Sequence, residues 1–230
     1  MIILRKKLFM IDILYQDRDV LVCIKPSGTL SESCEDSHSL PKMIEEQSAA
    51  LGAPVSLFAV HRLDREVFGV MVFAKNREAA AKLSALVSER RFHKEYLAVV
   101  EGVPEKGSDT LKDLLFRDTK KNKTYTVDRK RAGVKEASLE YTTLGSYDGR
   151  SLLKIILHTG RTHQIRVQFA SRRHSVAGDR KYGSSLKAAS GAIALCSHKI
   201  EFAHPTTKKP LSFSYTPKPE YPWDGYETLL

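Results

Sequence analysis

Cysteine is scarce in this chain: three in 230 residues, Cys23, Cys34 and Cys196, far apart and without a C-x-x-C pair. That spacing builds neither a zinc ribbon nor a disulfide framework, and a reducing, intracellular setting fits it best. Long apolar runs are missing too. Arg5-Lys6-Lys7 precede Leu8-Phe9-Met10-Ile11, but Asp12 interrupts the run. It is too short for the core of a signal peptide, and no later stretch would span a bilayer. The absences predict a cytoplasmic protein with no membrane segment. His61, His158, His163, His174, His198 and His204 are scattered without the i, i+4 plus third-ligand spacing of a metal site, so no metal is expected. No repeat, low-complexity tract or shift of composition marks a boundary, and residues 1–230 read as one domain.

What is abundant is positive charge. Hydrophobic residues make up 42% and charged residues 28%, the proportions of an ordinary globular protein. The 37 Lys and Arg exceed the 27 Asp and Glu, for a formal charge of +10 and a pI near 9.5. Such an excess favours a polyanionic partner through phosphate neutralisation and counterion release. Charge alone does not separate RNA, DNA and an anionic membrane surface.

Val20 to Ile24 has a buried-strand pattern closed by the turn Lys25-Pro26-Ser27-Gly28. Residues 29–38 are polar and read as a loop. Helical spacing follows through Leu40, Met43, Ile44 and Gln47 to Leu51, ended by Gly52. Val70 to Ala74 is a second buried strand. Asn76 then caps a helix to about Arg90, with Ala79, Leu83, Leu86 and Val87 on one face. Glu95 to Val100 is a further strand, and residues 104–123, lysine-rich and aperiodic, read as an exposed excursion. Leu139 to Thr143 and Leu152 to Leu157 form paired strands around the Asp148-Gly149 hairpin signal. A helix is expected from Thr162 to about Arg173, with Ile165 and Phe169 facing inward. Ile193–Leu195, Ile200–Phe202 and Leu211–Tyr215 give the last strands. Hairpins mixed with a few helices predict an α+β fold, a mixed and largely antiparallel central sheet flanked by helices.

The chemistry concentrates in three blocks. In His61-Arg62-Leu63-Asp64-Arg65-Glu66, one carboxylate sits between two arginines just before a strand. Nearby positive charge favours its anionic form, and the strand gives it a rigid mount. In Lys94-Glu95-Tyr96-Leu97-Ala98, Tyr96 shares a strand face with Lys94. An open-faced tyrosine offers a ring for stacking on a base, worth about 1–3 kcal/mol; a half-buried sheet tyrosine is the plainer alternative. In Gly160-Arg161-Thr162-His163-Gln164-Ile165-Arg166, Gly160 permits a tight turn and Thr162 is a candidate cap. Arg161 at a helix start suits a phosphate. His163 and Arg166 share a helix face, and the Arg166 fork suits a carboxylate such as Asp64. A solvated basic helix start is the alternative there. Gly178-Asp179-Arg180-Lys181-Tyr182-Gly183 adds a turn-rich loop, and Ala194-Leu195-Cys196-Ser197-His198 follows it.

Together these blocks resemble the RluA family of pseudouridine synthases. The resemblance runs from about Ile13 to Pro205 and includes Lys25-Pro26-Ser27-Gly28, His61 to Asp64 with Gly69 and Ala74-Lys75, Lys94 to Gly102, Gly160 to Val167, and Gly178-Asp179 with Tyr182-Gly183. It implies an isomerase that converts uridine in tRNA or rRNA to pseudouridine without a metal or organic cofactor. The uridine N-glycosidic bond breaks, the bound uracil turns, and C5 rejoins C1′. By the resemblance Asp64 is the essential carboxylate, acting as nucleophile or general base. Tyr96 stacks on the base and assists proton removal from C5, Arg166 pairs with Asp64, and Leu195 packs beneath the base. The target uridine leaves its stack, and Arg62 occupies the vacated space. The RNA-binding set is then His61, Arg62, Arg65, Lys94, Arg161, Thr162, His163 and Leu195. The small helical RNA-binding domain that precedes many relatives is expected to be absent, so that the catalytic domain holds RNA on its own basic surface, and nothing calls for more than a monomer.

The chain departs from the family's usual pattern in three places. Val67-Phe68 stands where Thr-Ser is usual, Leu195-Cys196-Ser197 replaces Leu-His-Ala, and Gln168 replaces a frequent His. Loss of two hydroxyls beside Asp64 keeps a second reading open: an RNA-binding or RNA-chaperone protein on the same fold with weakened catalysis. A glycosidase-like enzyme would need a second carboxylate opposite Asp64, and Glu66 is poorly placed for that.

Overall fold

The structure, a computed structural model, describes residues 10–33, 39–187 and 192–230. The basic residues 5–7 and Cys34 lie outside the described residues. Among the described residues eleven strands form one sheet: β1 (Ile13–Gln16), β2 (Val20–Lys25), β3 (Phe58–Ala59), β4 (Phe68–Ala74), β5 (His93–Glu101), β6 (Ser108–Asp118), β7 (Lys123–Val127), β8 (Val134–Tyr147), β9 (Arg150–Leu157), β10 (Leu195–Ala203) and β11 (Pro210–Ser214). Three helices accompany it, α1 (Leu40–Ala50), α2 (Arg77–Ser88) and α3 (Gln164–Ala170). The strand order is β1-β2-β4-β10-β5-β9-β8-β6-β7, with β3 on β4 and β11 on β10. Among these strands only β4 and β10 pair in parallel, and the other pairs are antiparallel, so the sheet is mixed and largely antiparallel as the hairpin signals imply. No described helix is long and apolar enough to cross a membrane.

Local chemistry explains most of these elements. The β2 and β4 runs are buried almost throughout, in keeping with continuous rather than alternating hydrophobicity. The Asn76 side chain accepts from the Ala79 amide at 2.8 Å and so starts α2. Asp148 and Gly149 both take positive φ, 48° and 69°, which joins β8 to β9 in a two-residue turn matched to strand twist.

Three expectations need correction. Residues 104–123 are not an irregular excursion, because Ser108–Asp118 pairs with β8 along its length and Lys123 opens β7. Only Leu111 and Leu115 of β6 are buried, and Asp113, on the same face between them, pairs with Arg172 at 2.9 Å. The helix after Gly160 is shorter than its pattern, since His163 takes φ 55°, a left-handed conformation that cannot continue a helix turn. Thr162 therefore does not cap it. Ile200–Phe202 is no separate strand but part of β10, which runs unbroken from Leu195.

One element left no periodic signal. The tail beyond β11 has no regular structure, yet it buries Trp223 and Tyr226 against the main core. The buried Arg150 holds it there by donating to Asp224 at 2.9 Å and to the Pro222 carbonyl at 3.1 Å. Phe68, the bulky departure beside Asp64, packs edge-on against Tyr215 and Trp223 at 6.2 and 6.1 Å. The ring is accommodated by the tail.

The parallel seam between β4 and β10 depends on Gly69. A Cβ there would lie 2.3 Å from the Ser197 carbonyl oxygen, and φ is 114°. Gly69→Ala is expected to cost about 3 kcal/mol or more through overpacking and strain. Urea unfolding of the variant measures this, and a midpoint unchanged from wild type would show that the seam relaxes freely.

Candidate active site

Asp64 sits in an irregular loop, residues 60–67, that enters β4. Such a loop has no ladder to hold it, so its backbone must be satisfied otherwise. The turn after β2 does this from behind. The buried Lys25 ammonium donates to the carbonyls of Pro26, Arg65 and Val67 at 3.1, 3.1 and 2.7 Å. Ser27 Oγ donates to the Glu66 carbonyl, the Gly28 amide to the Arg65 carbonyl, and Ser31 Oγ to the Leu63 carbonyl. Burial lowers the Lys25 pKa to about 7, against the pull of Asp64 and Glu66. Its three acceptors match the three donors of an ammonium.

The flanking arginines do not hold Asp64. Arg62 Nη1 reaches Glu32 at 3.5 Å, and Arg65 Nε donates to the Gly28 carbonyl. The guanidinium on Asp64 comes from Arg166, 102 residues away, whose Nη1 lies 3.1 Å from Asp64 Oδ2 and 3.3 Å from Glu66 Oε2. Arg166 is 2% exposed. Its other edge is held by Asp179, with Nε to Oδ2 at 2.6 Å and Nη2 to Oδ1 at 2.9 Å, a bidentate fork. Burial opposes the Arg166 charge, but Asp179, Asp64 and Glu66 outweigh it and push the pKa up. Asp179 was not among the expected site residues. The chain signals it only as part of the Gly178-Asp179 turn.

Asp64 opens onto a cavity of about 660 Å³. Tyr96, 5% exposed on β5, and Leu195, 3% exposed at the start of β10, both line it. Burial and then the Asp64 charge raise the Tyr96 pKa, so at neutral pH it is a hydroxyl, not a phenolate. Lys94, Arg161, Thr162, His163 and Arg62 also line the cavity, so the structure brings together most of the expected residues. Burial lowers the Lys94 pKa. Two differ in their placement. Arg65 is exposed and lies outside the lining. His61 is in the wall, but its Nε2 accepts from the Val72 amide at 3.0 Å and its Nδ1 is buried without a partner among the described residues. It offers RNA no polar atom.

His163 is held in place by its neighbours. Tyr182 Oη accepts from the Thr124 amide at 2.9 Å and shares a hydrogen bond with His163 Nδ1 at 2.8 Å. His163 Nε2 lies 4.0 Å from Asp64 Oδ2. Burial lowers the His163 pKa while Asp64 pulls it the other way. Gln164 fixes the same turn, accepting from the Arg161 amide and Thr159 Oγ1 and donating to the Ser138 carbonyl. Among the described residues no three His, Cys, Asp or Glu side chains converge as metal ligands.

The family model described as RNA pseudouridylate synthase matches residues 19–171. The chain belongs to that family. It is 34% identical over 229 residues to "Ribosomal large subunit pseudouridine synthase D" of Xylella fastidiosa, covering 91% of this chain and 66% of the relative. An uncharacterised RNA pseudouridine synthase of Aquifex aeolicus is 36% identical over 216 residues, covering 85% of this chain and 66% of that one. The chain thus spans about two thirds of the length of these curated relatives. The solved structure of human RNA pseudouridylate synthase domain containing 1 superposes with a TM-score of 0.71 at 24% identity, covering 92% of this chain and 85% of that one, and shares the fold. The pseudouridylate synthase match contains Asp64, Tyr96 and Arg166, while Asp179 and Leu195 lie beyond its end.

Two measurements test this geometry. Asp179→Asn keeps the shape of the fork but removes a buried countercharge, and a loss of about 3 kcal/mol is expected. An unchanged urea midpoint would mean that Arg166 is neutralised without Asp179. His61 has a folded pKa of about 3 through burial, against an ordinary 6.5. Between those values the unfolded chain binds a proton that the folded chain refuses, so stability falls as pH falls, by up to about 1.4 kcal/mol per pH unit. Unfolding titrations from pH 7 to 4 should show a shallower slope for His61→Gln than for wild type. Equal slopes would place the acid sensitivity elsewhere.

Proposed function

We propose that the chain is an RNA pseudouridine synthase acting on a uridine of rRNA or tRNA, in the cytoplasm and as a monomeric single domain. One observation carries this reading: the Asp64 carboxylate, moored by Arg166, shares a cavity floor with Tyr96 and Leu195. The cavity suits one flipped nucleotide with its base between an aromatic ring and an apolar side chain. Extrusion costs a few kcal/mol, less for a loop or bulge uridine.

In this reading Asp64 acts on the ribose as nucleophile or general base while the N1–C1′ bond breaks. The freed uracil turns against Tyr96 and Leu195, C5 bonds to C1′, the C5 proton leaves and N1 takes up a proton. Atoms balance without a cofactor. Tyr96 begins as a hydroxyl, so it accepts the C5 proton only while passing its own onward. Arg166 orients Asp64, and Arg62, at the rim and exposed, fills the gap left in the stack. Arg161, Thr162 and Lys94 meet the phosphates and ribose, and His163 steadies the Asp64 side of the site. Replacement of Thr-Ser by Val67-Phe68 is compatible with this, since Phe68 packs onto the tail and Val67 alone borders the cavity.

Incubation with rRNA and tRNA transcripts carrying tritium at uridine C5 tests the reading. Wild type should release tritium, and Asp64→Ala should reduce release by at least about 10²-fold, as expected for loss of a covalent or general-base group. RNA binding with no release by wild type over a broad set of transcripts would overturn it in favour of a binding protein.

A further inference from the structure

The excess positive charge is unevenly distributed. Residues 117–136 carry eight Lys or Arg against three Asp or Glu, half of the chain's net +10 in twenty residues. They form the far ends of β6, β7 and β8 and the two connections between them, at the edge of the sheet that ends in β7. Lys120, Lys121, Arg129, Lys130, Arg131 and Lys135 are all exposed. Among the described residues a single ion pair lies within this segment, Lys130–Glu136 at 2.5 Å. Elsewhere carboxylates pair with half-buried cations, as in Lys82–Glu78 on α2 and Lys199–Glu201 on β10.

The segment is continuous with the catalytic cavity. A second, shallow groove is lined by four cations, Arg131, Lys135, Lys130 and Arg161, and one carboxylate, Glu136, and Arg161 also lines the cavity around Asp64. Arg161 is fixed at that junction by its Nε, which donates to the Glu136 carbonyl on β8 at 3.0 Å. The extension is itself anchored to the site, since Thr124 of β7 bonds the Thr162 carbonyl and Tyr182. A chain of phosphates leaving the cavity past Arg161 therefore meets a ramp of exposed cations.

We propose that the β6–β8 extension is a phosphate-tracking surface that binds the RNA strand flanking the target uridine. This rests on the proposed isomerase activity for the identity of the RNA. The surface supplies affinity but no chemistry, since it lies outside the Asp64 cavity. Its contacts are to backbone phosphate, so they are salt-sensitive and indifferent to sequence.

The test compares two charge-removal triples in the full chain. Lys121→Gln/Arg131→Gln/Lys135→Gln alters the ramp. Arg18→Gln/Lys209→Gln/Lys218→Gln removes as much charge far from it, at exposed positions near β1, β11 and the tail. Fluorescence anisotropy with a labelled large-subunit rRNA transcript, over a range of KCl, gives the salt slope, and C5-tritium release gives KM and kcat. The ramp triple should lower the slope of log K against log salt by about 2–3. It should raise KM at least tenfold with kcat within twofold, while the control triple stays near wild type. A Lys120→Gln/Arg129→Gln double variant, which leaves Arg131 over the Phe116 ring, should show the same direction and guards against misfolding of the triple. Equal slopes for ramp and control triples overturn the proposal, as does a fall in kcat with KM unchanged. If wild type binds RNA with the expected slope difference but releases no tritium, the ramp stands and the isomerase reading fails.

Discussion

A guanidinium that is almost fully withdrawn from water must be neutralised where it lies, and Arg166 sets the terms for everything around it. Burying such a charge without partners costs several kcal/mol. Asp179 answers with a two-point fork on the Nε–Nη2 edge, 1% exposed and therefore just as dependent on Arg166. That pairing orients the plane of the guanidinium. Nη1 is then left facing the loop that carries Asp64 and Glu66. The position of the Asp64 carboxylate thus depends on a rigid buried pair as well as on its own loop. The arrangement also has a chemical merit. Arg166 meets Asp64 at Oδ2 through one N–H, so the carboxylate is steered without being enclosed, and its side chain keeps 15% exposure toward the cavity.

The loop is prepared for this role on its other side. Lys25, Ser27, Gly28 and Ser31 bond the backbone of residues 63–67, so the carbonyls that a strand ladder would have satisfied are met by one turn. Asp64 is thus clamped between a backbone seat and a guanidinium. Loss of either leaves the side chain near the right place but able to drift by the ångström that matters for positioned chemistry.

The readable parts of the chain were those in which local pattern and burial agree. The continuous apolar runs of β2 and β4, the Asn76 cap and the Asp148-Gly149 turn each carry their cause in adjacent residues. Residues 108–118 misled because the strand buries only Leu111 and Leu115 and places Asp113 between them, toward Arg172. Alternation, the usual sign of a strand, is lost when the intervening same-face position is an ion-pair partner. Arg62 and Arg65 looked like the partners of Asp64 through proximity in sequence. In an irregular loop, though, neighbouring side chains diverge, and the true partner lay on α3. Asp179 and the Trp223 tail left no periodic trace, since each works through a single contact that only the folded chain creates.

The lysine-rich edge admits a simpler explanation, which the distribution of charge argues against. Edge strands are often guarded by lysine so that they do not pair with another molecule. Guarding requires charge on the edge strand itself, yet β7 contributes only Lys123 to the total. The rest sits mostly in the connections at 119–122 and 128–133 and on β6 and β8, where it protects no free edge. Charge placed there projects toward a partner that passes along the extension, and the shared Arg161 directs that path into the cavity. The division is energetically sensible. In the proposed reaction, drawing a uridine out of its stack costs a few kcal/mol, and binding energy gathered from distant phosphates would offset that cost without crowding Asp64.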